Sequence, residues 1–342
     1  MKVVDLRSDT VTRPDRGMLD AMMQAEVGDD VFNEDPTVLL LQEMVADLLG
    51  KDEALFVPSG TMSNQIAVAL HTRPGDEVIL ESGCHIRNYE SGAAAALWGV
   101  QLCPVSGKRG IMAPEDVVAS IRTGYEWEPV PRLLCVENTN NKAGGTVYPL
   151  DRILQLGDVA KNYGLGFHLD GARIWNASVA SGKSEKEIAA PFDTVSVCLS
   201  KGLGTPLGSV LTGNKTIMDR ARRIRKRLGG GMRQVGIVAA AGIYAIQNNR
   251  TSLAEDHKKA SLLATGLSSM KSVSLDIETV ETNIVVFDVN DGRLALDVLQ
   301  ELSSKGVRMI PFGPKTIRAT THRDVSMSDI ERALDVAQTV LN

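Results

Sequence analysis

Between residues 36 and 240 the chain repeats one pattern of apolar and polar positions. Short apolar runs containing β-branched residues end in polar or glycine-rich turns, and longer stretches with helical periodicity follow. The short runs predict strands at 54–57, 77–80, 99–104, 133–137, 166–169 and 194–199. The longer stretches predict helices, among them 63–71 and 150–163. Strands that alternate with helices build a mostly parallel sheet, because parallel neighbours need a crossover and the helix supplies it. The expected class is therefore α/β, with helices on both faces of the sheet. In such sheets ligands bind at the carboxyl ends of the strands.

After residue 245 the texture changes. A strand at 283–289, a helix at 294–305 and a strand at 316–320 predict a smaller α+β domain. Ser328-Asp329-Ile330-Glu331 has the spacing of a capping box and is expected to open a last helix that runs to Asn342. The predicted division is a large domain over 1–244 and a small domain over 245–342. Gly229-Gly230-Gly231 falls between two helical stretches, and three glycines in a row lose too much backbone freedom to be regular helix. That segment reads as a purposeful loop.

Composition narrows the partners. A chain of 342 residues can bury a large core, and its net charge of −5 argues against nucleic acid, which calls for a basic face. The apolar runs are shorter than a membrane span requires, so no membrane partner is expected. The opening MKVVDLRSDTVTRPD is charged too early for a secretion signal, which points to a cytoplasmic protein. Cys84, Cys103, Cys135 and Cys198 sit in or beside apolar stretches without zinc-like spacing. They read as reduced core thiols, and no metal site is expected.

Five places carry candidate chemistry. Lys201, in Ser200-Lys201-Gly202-Leu203-Gly204, follows an apolar strand, and a desolvated lysine there has the neutral amine that Schiff-base formation needs. The alternative is a surface lysine; a nucleotide-binding P-loop would have the lysine after its glycines. Asp170 ends the strand at 166–169 and can pair with a pyridinium nitrogen, although strand-end acids also serve other ends. Pro58-Ser59-Gly60-Thr61 joins a strand to a helix, and is either a phosphate cradle or a plain helix cap. His85, followed by Tyr89 and Glu90, lies past a strand end, where an imidazole could stack on a flat ring or serve structure only. Arg318 is the natural partner of a substrate carboxylate, or a solvated strand residue. His71, His257 and His322 read as structural, and His168 as buried core.

Taken in order, these motifs resemble the L-threonine aldolase family, of fold type I among pyridoxal-phosphate enzymes. The resemblance runs through Asp5-Leu6-Arg7-Ser8-Asp9-Thr10-Val11-Thr12, Gly28-Asp29-Asp30-Val31, Asp35-Pro36-Thr37, Ser59-Gly60-Thr61, Glu137-Asn138-Thr139, Asp170-Gly171-Ala172-Arg173, Ser200-Lys201-Gly202-Leu203-Gly204 and Gly229-Gly230-Gly231-Met232-Arg233-Gln234. It implies pyridoxal phosphate as cofactor and retro-aldol cleavage of a β-hydroxy-α-amino acid, such as L-threonine or L-allo-threonine, to glycine and an aldehyde. By the same resemblance Lys201 forms the Schiff base, Asp170 pairs with the pyridine nitrogen, and Arg173 sits by the ring oxygen. Ser59, Gly60, Thr61 and Ser200 hold the phosphate, and His85 stacks on the ring. Ser8, Tyr89 and Arg318 contact substrate, with the N-terminal segment reaching the active site. His85 and Glu90 are candidates for the base at the β-hydroxyl, or for ordering its water. Lys226 and Arg233 would reach a neighbouring subunit's phosphate in a homotetramer with shared active sites. The chain departs from the family pattern at Asn140 and around Trp127, where many members have histidine, and at Phe32, where they often have tyrosine. Those departures bear on the threo/erythro preference and side-chain range. Elimination, racemisation or transamination on the same cofactor remains an alternative, as does a phosphate-binding protein without lyase chemistry.

Overall fold

The computed structural model describes residues 3–342. Strand β1 (Val4–Asp5) opens the chain and leaves for the C-terminal part of the molecule. The main sheet holds β2 (Glu53–Val57), β3 (Asp76–Glu81), β4 (Gln101–Val105), β5 (Val130–Glu137), β6 (Gly166–Gly171), β7 (Thr194–Cys198) and β8 (Ser209–Gly213). Their spatial order is β2-β8-β7-β6-β5-β3-β4. β4, β3, β5, β6 and β7 are mutually parallel, and β8 is antiparallel to both its neighbours. The α/β class expected from the pattern is the observed one.

Boundaries differ where local chemistry overrides periodicity. Gly99, at φ 64°, closes the helix Ala93–Trp98 in the left-handed region, so β4 starts at Gln101 rather than 99. The helix expected at 63–71 begins at Gly60, because Ser59 caps it by accepting from the Met62 N–H. β8 was not expected. Its five residues are flanked by Gly-Thr-Pro-Leu-Gly turn chemistry, too short a run to stand out. Its hairpin with β7 matters, since the turn between them carries Lys201. The Leu199 N–H donates to the Gly208 carbonyl and closes that turn.

β9 (Val273–Ser274), β10 (Ile284–Val289), β11 (Val307–Arg308), β12 (Ile310–Pro311) and β13 (Thr316–Thr320) follow. Four of them form an antiparallel sheet in the order β12-β13-β10-β9, while β1 pairs with β11 in parallel. Val4 and Leu6 are buried with Leu263, Phe287 and Ile317 in a core separate from that of the large sheet. Anchored there, the N-terminal segment runs across to the sheet's carboxyl edge. The helix Gly236–Asn248 spans residue 244 and packs Ala239, Ala241 and Ala245 into the larger core. The final helix, Met327–Leu341, corrects the capping expectation. Ser326, not Ser328, is the cap. Ser326 Oγ accepts from the Asp329 N–H and Asp329 Oδ2 accepts from the Ser326 N–H, each at 3.1 Å. Two overlapping serine–acid spacings fit the box, and the backbone chose the earlier one. Among the described residues no helix is long and apolar enough to cross a membrane.

Candidate active site

The parallel strands deliver their last residues to one edge. β5 ends at Glu137, which is in register with Asp170 on β6, and β7 ends at Cys198, three residues before Lys201. A cavity of about 340 Å³ opens there. The large sheet and the segments that leave its carboxyl edge contribute Asp170, Arg173, His85 and Lys201, the N-terminal segment contributes Ser8, and Arg318 and Phe312 come from the antiparallel sheet's side. One site thus draws on three distant stretches of sequence.

The two arginines of the cavity are held differently: Arg173 has an acid and Arg318 has none. Arg173 donates from Nε and Nη2 to both oxygens of Asp9, at 2.8 and 2.7 Å, and both side chains are buried. Burial opposes ionisation of Asp9, but the Arg173 guanidinium outweighs it and holds the carboxyl well below the usual range. Arg318 is buried too, yet it donates only to Asn141 Oδ1 at 2.7 Å and the Arg7 carbonyl at 3.1 Å. Its Nε has no partner, and among the described residues it forms no ion pair with a carboxylate. Burial and the nearby Arg173 charge lower its pKa to about 10. An unpaired buried guanidinium at a cavity wall is costly alone and is satisfied by an incoming anion.

The acidic side is built around Asp170. Its Oδ1 accepts from the Ala172 N–H, and its Oδ2 accepts from Asn64 Nδ2 at 2.8 Å. The same Asn64 nitrogen donates to Glu90 Oε1, and Glu90 Oε1 also bonds His85 Nδ1, both at 2.8 Å. Burial works against a charged His85, but the Glu90 bond and the charges of Asp170, Glu90 and Glu137 prevail and raise its pKa. Glu137 accepts the backbone N–H groups of His85 and Asn141. Its own pKa is raised, by burial first and then by Asp170.

Of the candidates, Ser8, Gly60, His85, Tyr89, Asp170, Arg173, Lys201 and Arg318 come together on the cavity wall. Glu90 does not. Its side chain is fully buried behind His85 and is occupied by Asn64, Gln65 and His85. Ser59, Thr61 and Ser200 flank the wall without lining it, and the Ser59 hydroxyl is engaged as a helix cap. Lys226 lines a separate basic cavity with Asp30 and Arg222, and Arg233 is paired with Asp29 at 2.8 Å. Asn140 is buried and closes the turn that follows it, accepting the Ala143 N–H. Phe32 and Trp127 are exposed, and Trp127 stacks on Tyr125.

Sequence reasoning missed Asn64, Glu137, Asn141 and Cys198 on the wall, and Asp9 beneath Arg173. Glu137 and Asp9 lay inside motifs already singled out, and a buried partner for Arg173 could have been sought among their acids. Asn64 carried the signal of a polar residue in an apolar helix stretch. Cys198 is a free thiol, as expected, but it borders the cavity and lies 3.5 Å from Lys201 Nζ.

A parallel sheet with a lysine, an acid and an imidazole at its carboxyl edge is the architecture of fold type I pyridoxal-phosphate enzymes. The chain matches a threonine aldolase structure from Leishmania major with a TM-score of 0.85 at 22% identity, covering 99% of this chain and 100% of the other. It matches a serine palmitoyltransferase from Sphingomonas wittichii with a TM-score of 0.78 at 18% identity, covering 99% and 87%. More narrowly, the chain belongs to the beta-eliminating lyase family, whose model matches residues 5–290. It is 44% identical to low-specificity L-threonine aldolase 1 of Arabidopsis thaliana, over 99% of this chain and 96% of that protein. It is 42% identical to the low specificity L-threonine aldolase of Escherichia coli K12, over 96% of each.

Proposed function

We propose that this protein is a pyridoxal-phosphate-dependent aldolase that cleaves L-threonine, L-allo-threonine and related β-hydroxy-α-amino acids to glycine and an aldehyde. The residues present fit the cofactor. The first turn of the helix Gly60–His71 has backbone N–H groups without helical partners, suited to a phosphate. Gly60 itself is required there, since a Cβ would come within 2.8 Å of Cys198 Sγ. Lys201 would hold the cofactor covalently, Asp170 would meet its ring nitrogen, and His85 would cover its face. Arg173, Thr61, Ser59 and Ser200 complete the proposed cradle. Bound there, the cofactor supplies an electron sink for bond breaking at Cα.

The observation that carries the substrate assignment is Arg318, the buried guanidinium without a carboxylate partner. With Ser8 it grips the substrate carboxylate, and this anchoring sets which Cα bond faces the electron sink. Tyr89 lies beside His85, with ring centroids 5.6 Å apart, at the mouth where the β-substituent enters. His85, tethered at Nδ1 by Glu90, keeps Nε2 for a proton from the β-hydroxyl, directly or through water. Phe312, Pro311 and Ile310 give the cavity an apolar side. The proposal includes a cytoplasmic homotetramer in which Lys226 and Arg233 approach a second copy's phosphate. Sedimentation of the purified protein tests it, and a monomer would remove that role.

The test of function is product analysis with the pyridoxal-phosphate-loaded chain and with Lys201→Ala. Glycine and acetaldehyde from L-threonine, lost in the variant, are expected. A 2-oxo acid and ammonia instead would replace cleavage by elimination.

A further inference from the structure

A chain of buried polar side chains runs from behind the cavity to its wall, where it ends on two carboxylates. Asn64 Nδ2 donates to both Glu90 Oε1 and Asp170 Oδ2, each at 2.8 Å. Asn64 Oδ1 lies 3.2 Å from His168 Nε2. His168 Nδ1 lies 2.9 Å from Thr194 Oγ1 and 3.2 Å from the Thr194 carbonyl. His71 Nε2 lies 3.1 Å from the same hydroxyl. Asn64, His168 and Thr194 are almost wholly inaccessible, so water does not arbitrate among them.

The carboxylates fix the direction of this chain. They only accept hydrogen bonds, so the amide nitrogen of Asn64 must face them and its oxygen must face His168. An acceptor opposite Nε2 requires the proton on Nε2. Burial lowers the His168 pKa to about 4, so the ring carries one proton and Nδ1 is left as an acceptor. A backbone carbonyl cannot satisfy it; the Thr194 hydroxyl can. That hydroxyl, having donated, accepts from His71 Nε2–H. Every proton in the series has one consistent place.

We infer that Thr194, His168 and Asn64 form a directional hydrogen-bond relay that positions Asp170 and Glu90 together, and through Glu90 the ring of His85. These are positioning residues: none of the three hydrogen-bonding groups is required to touch substrate. The inference rests on Asp170 and His85 being the cofactor-facing pair proposed above. Loss of the Thr194 hydroxyl would let His168 move its proton to Nδ1, facing the Thr194 carbonyl. The bare Nε2 would then oppose Asn64 Oδ1. Either that repulsion persists or the amide turns over and sets its oxygen against two carboxylates. In both cases Asp170 and Glu90 lose their common tether.

Histidine-selective 15N NMR on the full-length chain, with and without added pyridoxal phosphate, reads the tautomer directly. The His168 signal, identified by its loss in His168→Gln, is expected as the Nε2–H tautomer in the wild type and in Thr194→Ser. It is expected to convert to Nδ1–H in Thr194→Val, which preserves shape. Thr194→Val is also expected to raise the Kd for pyridoxal phosphate by about tenfold, the scale of one lost hydrogen bond to a charged group, with Thr194→Ser near wild type. An Nδ1–H tautomer in the wild type overturns the relay, with or without cofactor. So does a Thr194→Val protein with unchanged tautomer and unchanged Kd. A wild type that takes up no cofactor would instead remove the cofactor assignment, while its tautomer still decides the relay.

Discussion

Arg318 and Arg173 occupy the same cavity and differ in one respect: Arg173 has Asp9, and Arg318 has no acid. Two predictions follow from that contrast. Arg318→Leu removes an unpaired buried cation, so its thermal midpoint should be unchanged or higher than wild type, while KM for the amino acid rises at least about tenfold with the lost carboxylate contact. A drop of several degrees with KM unchanged would show that Arg318 serves the fold instead. Asp9→Asn leaves the Arg173 charge buried without its partner and should cost about 3–5 kcal/mol in urea unfolding. A loss below about 1 kcal/mol, the level of an exposed pair, would mean that solvent reaches Arg173 in solution.

At the scale of elements, most strands and helices were legible because each reports a local rule. β6 and β7 appear as apolar runs ending at Asp170 and before Lys201, and the structure keeps them within two residues of expectation. β8 escaped because its identity is non-local. Ser209–Gly213 becomes a strand by pairing with β2 on one side and β7 on the other, not through its own periodicity. The last helix makes the same point within one turn. Ser326-Met327-Ser328-Asp329 and Ser328-Asp329-Ile330-Glu331 both satisfy the box, and the choice depends on where Val325, buried in the smaller core, holds the chain. Ser326→Ala should therefore cost about 1 kcal/mol in chemical denaturation, the usual worth of a cap, and Ser328→Ala close to nothing. Equal losses would put the helix start in dispute.

Across the whole molecule, buried imidazoles set an acid limit. Burial lowers the pKa values of His168 and His257 to about 4 each, so both are neutral in the folded state, whereas in the unfolded chain they titrate near 6.5. Between those values the unfolded state binds protons that the folded state refuses. Their contribution to stability is therefore full above about pH 6.5 and falls as pH drops toward 4, its slope being positive in pH over that window. His85 and Glu137 run the other way: each has a raised folded pKa and contributes stability below its unfolded value, lost as pH rises through the folded value, about 7 for Glu137. Urea midpoints measured from pH 7.5 to 4 should decline on acidification, less steeply in His168→Gln. A midpoint independent of pH over that range would contradict neutral buried imidazoles.

The sequence by itself determined the class of fold, the order of its motifs and the residue types at the sheet's carboxyl edge, because strand alternation, helix caps and glycine turns are local properties of the chain. Lys201, Asp170 and His85 were readable for that reason. Only the tertiary structure decided which groups meet. Asp9 reaches Arg173 because β1 pairs with β11 some three hundred residues away (Val4 opposite Val307), and that anchoring carries the N-terminal segment over the cavity. Glu90 reads as a candidate base in the sequence, yet packing withdraws it behind the imidazole it holds. Asn64, no more than a polar residue in an apolar helix stretch by sequence, became the link between two carboxylates because a helix, a strand and the bend at Glu90 bring their side chains within one hydrogen bond of each other, and no pattern along a single element encodes that proximity.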